Sequence, residues 1–365
     1  MGVGEAPGGD DTDPPTATQR RWWSSPVVRA TVGVAAGGIA AVAVVSTAGG
    51  LGDAARAVRH VRAAWLVPAV AFEVVAYVLS AIRLRRLAGA DAVLGLADAV
   101  GVNLVVNGLG LLTPAAPAEG IAFEYAALRR RGLSRRHATM TMGFEQWFST
   151  RVVFLVQAVN LVVVVSWRDL PTNTDWVLAL AVVLLAVLAV TAVLANRVAT
   201  AERLMVAVGA LRFWRPRTPV DERRSRGAEF HRDAMAMVGP PRRRVALMGA
   251  SVASLLADAA CMWMAMFAGG LHHGFEIAVL AVGAGMAGAI VPFVPGGLGV
   301  VEAIIPAVLA WYGTPVSQGL AVALVYRTIG TFLPAAGGAV ALPFVRPHRV
   351  RGRGPGESDG QPVAS

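Results

Sequence analysis

Residues 292–302 read Pro-Phe-Val-Pro-Gly-Gly-Leu-Gly-Val-Val-Glu, inside an apolar stretch whose two arms, 276–291 and 303–312, are each too short to cross a bilayer. Two prolines and three glycines cannot continue a helix, and Glu302 behind them is costly in hydrocarbon. Irregular backbone at membrane depth persists only where protein buries it or where it lines a water-filled cavity. The stretch therefore predicts a re-entrant helical hairpin lining a transport or binding cavity. A kinked structural helix with Glu302 neutral or paired is the alternative.

The rest of the chain reads as membrane protein. Of 365 residues, 55% are hydrophobic and 15% charged, mean hydropathy is +0.57, and several apolar runs reach the roughly 20 residues that span a bilayer. The formal charge of +10 rests on 33 basic residues, all of them arginine. In a soluble protein that balance points to nucleic acid. Here the arginines cluster between apolar runs, where the positive-inside rule and anionic headgroups account for them, and no nucleic-acid partner is expected. Cys261, the single cysteine, lies in an apolar segment, which excludes internal disulfides and cysteine-rich metal sites.

Six full spans are predicted, at about 27–50, 64–82, 139–166, 176–195, 245–269 and 319–345. Two apolar segments broken by proline, 92–128 and 276–312, are left over; the first contains Thr113-Pro114-Ala115-Ala116-Pro117-Ala118-Glu119-Gly120. The expected fold class is an all-α polytopic membrane protein with six transmembrane helices and two re-entrant hairpins. Pro114 and Pro117 break the first hairpin; Pro292, Pro295, Gly296, Gly297 and Gly299 break the second. Residues 1–26 and 346–365 are expected to be disordered cytoplasmic tails around a transmembrane domain at 27–345. The run 27–50 is long enough to stay as a helix rather than serve as a cleaved leader.

Arginine placement orients this scheme. Arg20, Arg21 and Arg29; Arg83, Arg85 and Arg86; Arg129–Arg131 with Arg135 and Arg136; the twelve arginines of the basic loop 196–244; and Arg346, Arg349, Arg351 and Arg353 can share the cytoplasmic face. They do so only if 92–128 enters and leaves from that face and 276–312 from the other. Arg56, Arg59 and Arg62 run against the scheme. The order span, span, hairpin, span then repeats upside down, an inverted repeat of the kind that builds secondary transporters around a midplane site. Pro117 precedes Arg151 by 34 residues and Pro295 precedes Arg327 by 32, while Glu73 and Asp258 hold matching places in the second and fifth spans. Phe213 and Trp214 suit a surface helix on anionic lipid as well as a solvated basic loop.

Ionisable residues inside the spans are the candidates for chemistry, because each costs about 2.5–3.5 kcal/mol on insertion scales unless paired or hydrated. Arg151 and Arg327 stay charged and their planar forks suit phosphate oxygens, so they are assigned to a lipid headgroup. Glu73, Glu119, Glu145, Asp258 and Glu302 form a polar path that can hold a cation or take up protons. The structural alternative is that they only neutralise neighbours, Glu145 and Arg151 sharing one helix. Asn103 and Asn107, four residues apart, line a passage or bond the broken backbone nearby. Trp22, Trp23, Trp65, Trp167, Trp176 and Trp311 fall near span ends, as in an aromatic belt. No G-x-S-x-G, H-E-x-x-H or P-loop occurs, His272-His273 is read as an exposed loop, and no metal or cofactor is expected.

Three stretches carry a family resemblance: Ala81-Ile82-Arg83-Leu84-Arg85-Arg86-Leu87; Asn107 through Glu119 with Leu128-Arg129-Arg130-Arg131-Gly132-Leu133-Ser134 and Glu145; and Pro292 to Glu302 with Arg327 and Pro334. Over roughly 60–345 the chain resembles the transmembrane region of lysylphosphatidylglycerol synthases, a flippase-like family of integral membrane proteins. The third stretch is the most specific. Residues 114–120 depart from the family's glycine-rich approach to an acid, and Phe123 and Glu124 stand where a basic residue is common. Relatives that make aminoacylated phosphatidylglycerol carry a soluble aminoacyl-transferase domain after this region. Since this chain ends at Ser365, the resemblance implies the translocase-like part without enzymatic activity.

The expectation is a multi-pass protein of the cell membrane that binds and translocates a phospholipid or a polyprenyl- or glycolipid-linked headgroup, with anionic lipid against its cytoplasmic face. The rival is a non-transporting accessory subunit that scaffolds an envelope-lipid or glycolipid synthesis enzyme, docking it through 196–244.

Overall fold

In the computed structural model, the described residues are 61–89, 94–112, 116–167, 220–289, 297 and 299–345, with short helical pieces within 179–190. They are helical throughout, and no strand occurs among them. A 3-10 turn at Ala63–Trp65 leads into α1 (Leu66–Ala88). There follow α2 (Leu96–Leu112), α3 (Ala116–Arg130), α4 (Arg135–Trp167), α5 (Val220–Val238), α6 (Pro241–Ala268), α7 (Phe275–Ala289) and α8 (Val300–Trp311). The last rod is α9 (Val316–Arg327), a π-helical turn at Thr328–Phe332, and α10 (Leu333–Val345).

Four helical stretches are long and apolar enough to cross a membrane: Ala63–Ala88, Arg135–Trp167, Pro241–Ala268 and Val316–Val345. They cover the expected spans at 64–82, 139–166, 245–269 and 319–345 and run past them by up to six residues. The surplus is mostly arginine-bearing, because hydropathy marks where hydrocarbon ends and a helix continues into the headgroups. The expected span 27–50 lies outside the described residues, and more than half of 176–195 does too. Part of the expected basic loop is helical: α5 occupies 220–238, and its Asp233 pairs with Arg136 at 2.9 Å.

α1 and α6 form an antiparallel pair. Arg62 N–H bonds the Ala268 carbonyl at one end, Ser254 bonds the Ala76 carbonyl midway, and the Arg243 guanidinium reaches the Arg86 carbonyl at the other end. The broken segments each fold into two helices packed on one another, α2 on α3 and α7 on α8. α2 runs antiparallel against α10: the spaces above Gly101, Gly108 and Gly338 are filled by Val345, Ala335 and Leu104 respectively. α7 runs antiparallel against α4, where Gln157 donates to the Val279 carbonyl at 2.8 Å and Asn160 to the Glu276 carbonyl at 2.9 Å. The open end of α2–α3 therefore sits at the arginine-bearing end of the bundle and that of α7–α8 at the opposite end.

Each helix pair has its own core. Leu84, Val102, Leu128, Leu133 and Ala138 close around α2–α3. Met262, Met266, Ile277, Ile305, Leu309 and Val322 close around α7–α8. Where lipid replaces water there is no hydrophobic drive between helices, so close approach at small residues holds the bundle. Gly108 and Gly338 let α2 and α10 meet backbone to backbone. Val67, Val74, Val159, Val340 and Phe344 point outward. Trp65, Trp167 and Trp311 are exposed at helix ends.

Candidate functional site

The helices enclose a cavity of about 490 Å³, within the roughly 300–1,000 Å³ range of small-molecule sites. Its lining includes Glu73, Tyr77, Ser80, Arg83, Asn103, Asn107, Glu124, Glu145, Ser251, Ser254, Asp258, Tyr326 and Arg327. Helical spacing explains why these side chains converge. Glu73, Tyr77, Ser80 and Arg83 are three or four residues apart on α1, and Ser251, Ser254 and Asp258 are spaced likewise on α6. Two polar stripes thus face each other along an otherwise apolar antiparallel pair.

At the arginine-bearing end of the cavity, Arg83 is buried. Its guanidinium donates to Ser251 Oγ at 3.2 Å, Ser80 Oγ at 3.2 Å and Glu145 Oε1 at 3.3 Å. Glu124 from α3 lies against Glu145 and within the field of the same guanidinium. Asn103 donates to Ser80, and Asn107 turns back to the Asn103 carbonyl, so one asparagine extends the polar lining and the other closes its own helix.

Arg327, at the end of α9, donates from Nε to Glu302 Oε1 at 3.0 Å and from Nη1 to Thr331 Oγ1 at 3.1 Å. Glu302 Oε2 accepts the amide of Gly299 at 2.7 Å, capping the first turn of α8. Gly297 and Gly299 have φ of +65° and +83°, so the chain turns here through backbone angles that favour glycine. Between the two guanidiniums, Asp258 accepts from Tyr326 O–H at 2.8 Å, and Glu73 lies within hydrogen-bonding reach of Asp258 and of the Cys261 thiol.

Of the sequence-predicted site residues, Glu73, Glu145, Asp258 and Arg327 line one cavity, and Glu302 joins it through Arg327. Arg151 and Glu119 are not among the lining residues. Arg151 stacks over the Trp147 ring at 4.0 Å, and Glu119 is exposed in the first turn of α3. Pro117 also sits in that first turn, where a proline is tolerated. Pro114, Pro292, Pro295 and Gly296 lie outside the described residues. Sequence reasoning placed Arg83 with Arg85 and Arg86 at a span end, yet α1 continues through all three and turns Arg83 alone inward. Its helical register with Glu73 and Ser80 was the available signal. Among the described residues no group of His, Cys, Asp and Glu is arranged to hold a metal ion.

A family model described as the lysylphosphatidylglycerol synthase TM region matches residues 30–338, most of the chain. The chain belongs to that family. What is matched is the membrane region of these synthases, and with its four long apolar helices the chain is a multi-pass helical membrane protein. Comparison with curated proteins finds no match. Within the matched region, Glu302 and the downstream Arg327 meet in one ion pair.

Proposed function

We propose that this protein moves the headgroup of a phospholipid or a polyprenyl- or glycolipid-linked lipid across the cell membrane, leaving the acyl chains in the bilayer. One observation carries this: two buried guanidiniums, Arg83 and Arg327, line a polar cavity among helices built to sit in hydrocarbon. A guanidinium there is expensive unless it serves a pathway, and its fork suits phosphate oxygens. Arg83 and Arg327 are the phosphate contacts in this proposal; Arg151, on its tryptophan, supports α4.

The helix pairs α2–α3 and α7–α8 are the re-entrant hairpins. Their arms have 17, 15, 15 and 12 residues, about 18–26 Å at 1.5 Å per residue, against a hydrocarbon core of about 30 Å. They enter from opposite faces, with the arginine-bearing ends of α1, α4 and α6 on the cytoplasmic side. The packing of α2 on α10 and of α7 on α4 supports an inverted repeat.

Reconstitution into liposomes with fluorescent phospholipids tests the proposal. Arg327→Ala and Glu302→Gln are each expected to slow lipid movement at least tenfold. Unchanged movement in both would remove the pair from the path, and no movement by the parent protein would end the proposal.

A further inference from the structure

The cavity is short of positive charge. Four carboxyl side chains line it, Glu73, Glu124, Glu145 and Asp258, against two guanidiniums, Arg83 and Arg327. Arg83 is committed to Glu145, and Arg327 to Glu302. Glu73 and Asp258 are left to each other at the crossing of α1 and α6.

Ala69, Cys261, Met264 and Ile329 form a buried apolar cluster on α1, α6 and the π turn, and its Cys261 faces the Glu73–Asp258 pair. Among the described residues, the titratable groups facing it are Tyr77 from α1, Cys261 from α6 and Tyr326 from α9. The π-helical turn brings Gly330, which has no charge, so close that an added methyl would stand 3.6 Å from Glu73 Oε1. Glu73 is 7% exposed, and its Oε2 is buried with no hydrogen-bond partner among the described residues. Two carboxylates in contact in such a place repel one another and both lose hydration, so their juxtaposition calls for one positive charge between them.

We propose that the Glu73–Asp258 pair binds one monovalent cation, a proton or a sodium ion, and that its occupancy couples headgroup movement to an ion gradient. The coupling clause rests on the translocation reading; the ion site does not. Glu73 Oε2 offers the vacant acceptor, and Asp258 is held by the Tyr326 hydroxyl. Loss or gain of the bound charge changes the attraction between α1 and α6, and the π turn at Thr328–Phe332 lies against both this pair and Arg327. π turns inside α-helices recur at functional sites.

The full-length protein in liposomes supplies the test. Infrared spectroscopy at constant sodium looks for the carbonyl stretch of a protonated carboxyl group, and thermal unfolding compares sodium chloride with choline chloride. The expected result is one of two signals. A protonated-carboxyl band lost in both Glu73→Gln and Asp258→Asn identifies the proton; a sodium-dependent rise in Tm lost in both variants identifies sodium. Neither signal in the parent protein overturns the site whether or not the variants fold, as does a signal that survives in both. Lipid movement under an imposed proton or sodium gradient then tests coupling, with a severalfold acceleration expected from the matching ion only. Lipid movement without an occupancy signal sinks the ion site and leaves translocation standing; occupancy without lipid movement sinks translocation and the coupling clause.

Discussion

Arg327 donates to Glu302 Oε1 across 3.0 Å while Glu302 Oε2 takes the Gly299 amide at 2.7 Å, so one carboxylate fastens the last long helix to the first turn of α8. Both side chains are buried, which makes the pair sensitive to losing one member. Arg327→Ala leaves an uncompensated carboxylate and is expected to cost about 3–5 kcal/mol. Replacing both, as Arg327→Met with Glu302→Gln, removes both charges and is expected to recover most of that loss. Denaturant unfolding in detergent of Arg327→Met, Glu302→Gln and their double measures the coupling.

The two cavity arginines differ from Arg151 in what they touch, and the difference is testable. Arg83 holds Glu145, Ser80 and Ser251 together. Arg83→Lys keeps the charge but loses the fork, so lipid movement is expected to fall about tenfold, and further in Arg83→Ala. Arg151→Ala loses its stacking on Trp147, a contact of about 0.5–2 kcal/mol, and should reduce stability without reducing the rate per folded molecule. A movement assay normalised to folded protein separates the two outcomes.

Much of this arrangement was legible in the chain. The long spans at 64–82, 139–166, 245–269 and 319–345 follow from hydropathy, since the physics that selects a spanning helix acts on composition alone. The ends of α2 at Leu112 and of α7 at Ala289, and the start of α8 at Val300, fall beside the prolines and glycines that disfavour helix. Arg83 was not recognised as a site residue, because a run of arginines is read as a flank unless helical register is followed through it. Glu124 was noted only as a departure from a family pattern; its partner Glu145 lies on another helix, and that proximity is a tertiary fact. Pairings such as Gln157 with the Val279 carbonyl have no local signature at all.

Glycines at helix contacts give a graded stability prediction. A methyl at Gly338 would stand 2.3 Å from the Leu104 carbonyl oxygen, which is backbone and cannot swing aside. Gly338→Ala should therefore force α2 and α10 apart, at about 1–3 kcal/mol. At Gly283 the obstacle is the Gln157 side chain at 1.9 Å. Gly283→Ala displaces that side chain and frees the buried Val279 carbonyl, a loss of about 1–3 kcal/mol. Gly143 and Gly249 meet nothing within 4 Å. Their alanine variants should be neutral or stabilising by up to about 1 kcal/mol. Thermal melts of the four variants check the order.

The hairpin proposal makes the sharpest demand. A hairpin and a pair of spanning helices both return their open ends to one face, so the tips decide: cysteines at Leu112 and Ala289, the inner ends of α2 and α7, react from the face opposite the open ends only if the arms span. Leu96 and Arg130 mark the ends of the first hairpin, and His272 and Pro315 flank the second; all four are exposed, while the native Cys261 is buried. In a Cys261→Ala background, Leu96→Cys and Arg130→Cys should react with a membrane-impermeant maleimide from the face that carries the arginines. His272→Cys and Pro315→Cys should react from the other. The open ends are tied by contacts that do not depend on the membrane: Arg131 pairs with Asp98 at 2.9 Å across the mouth of the first, and His273 Nε2 meets Thr314 Oγ1 at 2.7 Å across the mouth of the second. Each mouth is therefore clasped shut by its own polar pair, and sidedness should be unchanged between native membranes and liposomes of one orientation. Labelling of either tip from the face opposite its open ends would turn that hairpin into two ordinary spans and remove the re-entrant break from the proposed headgroup path.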